Sequence, residues 1–154
     1  MNSSFLLARR VQARTKVAAA AALVMTAGCL STHPGSSSLA HVVIDGVSMA
    51  AIREATVQVF TGDHYQLQSS GQSGLVFTRE GSRQDQVRYG RYGESLHMRV
   101  DVIMEPYGAR SVLVRADVYA LHGGSTLGAT KLLKIARRPY QKLLNRVRKL
   151  VLQP

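Results

Sequence analysis

The sequence predicts an α+β fold, a two-layer sandwich of one helix, a four-stranded antiparallel sheet and a C-terminal helix. Three observations lead to it. Two segments in the middle of the chain alternate apolar and polar residues, the mark of strands with one buried face. Residues 48–61 and the tail after Pro139 instead repeat apolar residues at helical spacing. The polar positions of the two middle strands carry charge, and a sheet with one charged face usually packs helices on the other.

The elements follow in order. Val42, Val43 and Ile44 form a short extended segment that stops at Asp45-Gly46. Ser48 is placed to cap a helix over 48–61, where Met49, Ile52, Ala55, Thr56, Val59 and Phe60 line one stripe. Gly62 is its expected stop. Tyr65–Ser69 and Leu75–Arg79 read as two short strands around a Ser/Gly-rich turn. Residues 80–95 are polar and contain Gly81, Gly90 and Gly93, so they read as a long hairpin connection.

The two clearest strands come next. Met98, Val100, Val102 and Met104 share one face, as do Val112, Val114, Ala116 and Val118. With Pro106–Arg110 as the turn, pairing residues whose numbers sum to 216 sets Arg99 against Asp117 and Asp101 against Arg115. Opposite charges across a ladder contribute roughly 0.2–1 kcal/mol, which favours that register. His122-Gly123-Gly124 ends the sheet. Pro139 suits the first turn of a last helix, in which Tyr140, Leu143, Leu144, Val147, Leu150 and Val151 make the apolar stripe. Lys142, Asn145, Arg146 and Lys149 fall on its other side. This order resembles the small helix-and-sheet domains of envelope-assembly lipoproteins such as BamC, an analogy of fold that carries no function.

Charge is unevenly spread. The net charge is +11, from 20 Lys and Arg against 9 acids. Residues 1–28 hold four of the cations and residues 131–154 hold eight, with no acid in either segment. Residues 29–130 are left with eight arginines against nine acids, close to neutral. The basicity is therefore terminal, and the near-neutral middle offers no extended footprint for nucleic acid.

The N-terminal segment explains one of the basic ends. Arg9, Arg10, Arg14 and Lys16 form a positive region, and Val17–Ala27 an Ala-rich uncharged run. Eleven residues are too few to span a bilayer core about 30 Å thick. Residues 1–28 thus read as a signal peptide. Thr26-Ala27-Gly28-Cys29 resembles the lipobox of bacterial lipoproteins, with Thr26 where that family mostly has Leu. The resemblance implies cleavage between Gly28 and Cys29 and a diacylglycerol on the Cys29 sulfur. Cys29 is the single cysteine, so no intrachain disulfide can form. Each buried CH₂ of an acyl chain adds roughly 0.8 kcal/mol, so two or three chains hold firmly. In Gram-negative lipoproteins of this kind an Asp after the cysteine favours the inner membrane. Leu30 stands there instead, which implies lipid anchoring at the cell outer membrane with the domain facing the periplasm, the inner membrane being the alternative.

Residues 29–40 then read as the lipidated cysteine and a Ser/Gly/Pro-rich tether, and residues 41–154 as a single domain. The eleven residues 30–40 reach about 36–40 Å when extended.

No catalytic constellation is present. His33, His41, His64, His97 and His122 are scattered, with no pair at metal-ligand spacing. There is neither a G-x-S-x-G elbow nor a phosphate-binding glycine loop. Asp63-His64 reads as a polar turn, because a general base needs partners that this spacing does not supply. No cofactor and no metal are expected. Two features are candidates for binding. The tail cations Lys142, Arg146 and Lys149 either sit solvated on a helix that closes the core or touch anionic head groups. Arg88, Tyr89, Arg91 and Tyr92 are either a hairpin tip or a contact surface of the Arg/Tyr kind. The expected role is a non-enzymatic binding or assembly module held at the membrane, with another envelope protein or an anionic envelope component as partner. The alternative is a cell-envelope enzyme with an unrecognised site.

Overall fold

A computed structural model describes residues 37–123 and 128–153. The leader, Gly28 and Cys29 lie outside the described residues, as does most of the expected tether.

The fold is α+β. In chain order it comprises β1 (Ala40–Asp45), α1 (Met49–Gly62), β2 (Gln66–Ser70), β3 (Gly74–Glu80), α2 (Arg83–Tyr89), β4 (Leu96–Tyr107), β5 (Ser111–His122), β6 (Thr130–Lys131), a 3-10 turn (Lys134–Ala136) and α3 (Arg137–Leu152). The sheet is antiparallel with strand order β1-β5-β4-β3-β2, and β6 pairs with β5 beyond the start of β1. The expected four strands are therefore extended by β1 and β6. Their pairing with β5 joins segments about seventy residues apart in the case of β1, which local pattern does not reveal.

The apolar face is as expected. Met98, Val100, Val102 and Met104 of β4 are buried with Val112, Val114, Ala116 and Val118 of β5. Val42 and Ile44 of β1 and Leu75 and Phe77 of β3 join them in one core with Ile52 and Phe60 of α1 and Tyr140, Leu143, Leu144 and Val147 of α3. Phe60 stacks on Phe77 with ring centroids 4.7 Å apart, which ties α1 to the sheet. Tyr140, Leu143, Leu144 and Val147 of the tail stripe are thus core and Val151 packs partly against it, the first of the two readings, whereas Leu150 of that stripe is exposed.

The register is not the expected one. Met98 faces Ala120 and Val100 faces Val118, so paired numbers sum to 218. The strands run on through Pro106-Tyr107, and only Gly108, Ala109 and Arg110 form the turn. Pro106 is tolerated because of where its nitrogen points. Met104 donates its N–H to Ser73 on the β3 side. Two residues on, Pro106 aims the same way, past the last β3–β4 pair at Gly74↔Ile103, so no ladder bond is lost.

Other boundaries also moved. Ser48 caps α1 as expected, accepting from the Ala51 N–H. The left-handed residue after this helix is His64 (φ 66°), and Gly62 is still helical. Ser38, Leu39 and Ala40 are buried, so the fold begins before the expected His41. Residues 83–89 of the expected hairpin connection are the helix α2. Arg138 lies inside α3 although it precedes a proline, a position disfavoured in the helical region. Pro139 is its third residue, where the missing N–H would be unpaired anyway.

At the far edge, β2 is exposed along its whole length, and its pairing with β3 slips between Leu67 and Ser69, a β-bulge.

Candidate binding surface

One end of the sheet gathers the chain's outlying segments. Strand directions put the start of β1, the end of β3, the start of β4, the end of β5 and all of β6 there. α2 and the 3-10 turn lie at the same end.

α2 owes its position to Asp85. Ser82 and Asp85 form a capping box: the Ser82 side chain accepts from the Asp85 N–H, and Asp85 accepts from the Ser82 N–H. The same carboxylate pairs with Arg79 of β3 at 2.8 Å. Arg79 in turn lies 5.0 Å from the centroid of the Tyr65 ring. The Tyr65 hydroxyl meets Tyr140 of α3. Burial pushes the Tyr65 phenol above its ordinary pKa, against the opposing pull of Arg79. Burial also raises Tyr140, and its neighbour Tyr65 adds to the rise. Both phenols therefore stay neutral through the neutral range. Through the Arg79–Asp85 pair this cluster braces α2 against β3.

The brace fixes what α2 shows outward. Val87 and Arg88 are exposed, while Tyr89 packs partly against the core. Gly90 follows as the C-cap, and Arg91 and Tyr92 are exposed in the loop after it. Across a hollow of about 460 Å³, Arg88 and Tyr89 face Ile135 of the 3-10 turn. A second hollow, about 270 Å³, lies between Ser37–Leu39 and Lys131–Lys134. The point where the chain enters the fold thus adjoins the segment that carries Leu133 and Ile135.

These positions hold the most exposed large apolar side chains among the described residues. Tyr92 is fully exposed, Ile135 is 93 %, Val87 83 % and Leu133 77 % exposed, and the next, Leu152, is 53 %. In the same stretch Leu132 and Ala136 are buried, so the chain here alternates between the core and solvent. Fully burying a side chain of this size is worth about 1.5–3 kcal/mol, so leaving several outside forgoes a substantial gain. Cations surround them. Arg83, Arg88, Arg91 and Lys134 make no ion pair among the described residues. Of the acids at this end, Asp85 pairs with Arg79 and Asp117 with Lys131 at 3.0 Å, while Glu80 is exposed and makes no ion pair among the described residues, and Glu94 lies 3.7 Å from the His122 imidazole. α3 begins beside them without a side-chain cap, with Arg137 and Arg138 and no acid in its first turn. Its positive dipole end adds to the field of those cations.

The expected site residues therefore divide. Arg88, Tyr89, Arg91 and Tyr92 belong to this end. Lys142, Arg146 and Lys149 lie on the outer side of α3, where Arg146 pairs with Asp63 of the α1–β2 turn at 2.7 Å. No hydrogen bond or ion pair among the described residues joins the two sets. Sequence reasoning missed Val87, Leu133, Lys134 and Ile135. Exposed apolar residues look like core until the fold shows which way they point.

Among the described residues no group of three or more His, Cys, Asp or Glu side chains could hold a metal ion. No described helix is long and apolar enough to cross a membrane. No protein-family model matches the chain, and no curated protein matches it.

Proposed function

We propose that the chain is a membrane-anchored envelope lipoprotein whose domain is a binding or assembly module rather than an enzyme. The observation that carries this reading is the place of chain entry. Ser37 lies eight residues after Cys29, a reach of at most about 29 Å. The chain enters the fold beside Leu133 and Lys134, at the end where exposed apolar and cationic side chains collect. A lipid on Cys29 would hold that end close to its membrane, which suits contact rather than catalysis at a distance. Leu30 in place of Asp supports the outer membrane, with the domain in the periplasm, over the alternative of the inner membrane. The helices α1 and α3, which share the core with the apolar face of the sheet, form the second layer of a two-layer sandwich in this reading.

Intact mass of the protein extracted from its native membrane tests the proposal. Loss of residues 1–28 and the added mass of a diacylglycerol with or without an N-acyl chain is the expected result. A product that retains Met1 with an unmodified thiol overturns it. The binding role is tested by cross-linked capture from the envelope with Arg88, Tyr89, Arg91 and Tyr92 all replaced by Ser. Capture of the same partner in undiminished amount removes this end from that role.

A further inference from the structure

We infer that the end of the domain formed by α2, the 3-10 turn and the chain entry rests on the surface of an anionic phospholipid bilayer, the one that holds the anchor. The inference builds on the lipoprotein reading above and adds which face meets which surface. Three observations converge on it. First, the four most exposed large apolar side chains, Tyr92, Ile135, Val87 and Leu133, lie at this end. Soluble monomers seldom expose such groups together unless they meet something. Second, Arg83, Arg88, Arg91 and Lys134 are interleaved with them and make no ion pair among the described residues, while Asp85 and Asp117 are held by Arg79 and Lys131, so these cations outnumber the remaining carboxylates of this end, Glu80 and Glu94. Apolar side chains flanked by free cations match an interface with acyl chains beneath and phosphates above. Third, the chain enters the fold in the hollow beside Lys131–Lys134, so an anchor on Cys29 delivers this face to the bilayer. Once tethered, the face meets lipid at a high effective concentration, so weak contacts suffice.

The outer side of α3 fits less well. Arg146 is held by Asp63, and Tyr140, Leu143, Leu144 and Val147 of that helix are buried, leaving only Leu150 and Leu152, less exposed than the four above, near its C-terminal end. This shifts lipid contact away from Lys142, Arg146 and Lys149 and onto the 3-10 turn and α2.

The test uses the full lipidated chain. Ile135→Cys is labelled with a polarity-sensitive fluorophore and reconstituted in phosphatidylcholine vesicles with or without phosphatidylglycerol. Gln68→Cys, on the exposed strand β2 at the opposite edge of the sheet, is the reference. The expected result is a blue shift at position 135 in the anionic vesicles, quenching there by brominated acyl chains, and reversal by salt, with no change at position 68. Reversing Arg88 and Lys134 to Glu lowers the shifted fraction at least about fivefold. If position 135 behaves like position 68 in both lipids, the docking proposal fails while the anchor stands. Dye stoichiometry separates the two. With Cys29 lipidated each chain takes one dye, whereas two dyes per chain show a free Cys29 thiol and overturn the anchor and the docking together.

Discussion

Asp101 of β4 lies directly opposite Asp117 of β5. Like charges across a ladder are unfavourable, and each of these carboxylates has its own cation. Arg99 grips Asp101 with two nitrogens at 2.7 and 3.1 Å, and Lys131 of β6 reaches Asp117 at 3.0 Å. Asp117 also accepts the Leu39 N–H at 3.2 Å, which fastens the start of the fold to the sheet. Arg115, which an Asp101 pairing would have engaged, turns instead to Glu105.

Arg99→Met leaves Asp101 facing Asp117 without its partner. The expected loss is about 0.5–1 kcal/mol, given that the pair is partly exposed. Adding Asp101→Asn in that background recovers most of it. Urea midpoints of the two variants check this, and no recovery in the double variant would show that the facing carboxylates do not repel.

Asp85→Ala removes half of the capping box and leaves Arg79, only partly exposed, without its counter-ion. We expect a loss of about 2 kcal/mol, against about 1 kcal/mol for Ser82→Ala, which removes the cap alone. Hydrogen exchange should show α2 opening first in both variants. Equal costs would mean that the Arg79 pair contributes nothing beyond the cap.

The buried phenols predict a particular response to alkali. Tyr65 and Tyr140 have folded pKa values raised above the ordinary 10.0. A group whose folded pKa is raised contributes stability that is complete below the unfolded pKa and is lost as pH climbs above it. Stability should therefore hold up to about pH 10 and decline beyond it. Tyr140→Phe should flatten that decline. In a phenolate absorbance titration, two of the six tyrosines should ionise only as the chain unfolds; smooth titration of all six would contradict the packing.

Leu144 is fully buried on α3. Leu144→Ala should cost about 2–5 kcal/mol by opening a cavity, whereas Lys142→Ser and Lys149→Ser should each stay within about 0.5 kcal/mol. Thermal unfolding distinguishes the two cases. A mild Leu144 variant would mean that the tail helix is not part of the core.

Much of the fold could be read from the residues, and the gaps have physical causes. Ser48 and the stripe from Ile52 to Phe60 locate α1, because cap and periodicity are local. The buried faces of β4 and β5 are equally legible. Their register is not, since sums of 216 and 218 bury the same side chains and differ only in turn length. The charge pairs that favoured 216 are worth less than the extra ladder gained by running through Pro106 and Tyr107. α2 left a signal in Ser82-Arg83-Gln84-Asp85, the spacing of a capping box, but the glycines around it pointed to a loop. The brace of Tyr65, Arg79 and Tyr140 left none, because its members are far apart in the chain and meet only after folding.

The slip at Leu67 and Ser69 has a consequence for molecules held side by side. An outermost strand with an unbroken row of amide and carbonyl groups invites an identical neighbour to add on and start a fibril. Here the row is five residues long and interrupted near its centre, so an adjacent copy finds too little straight backbone to zip onto along β2.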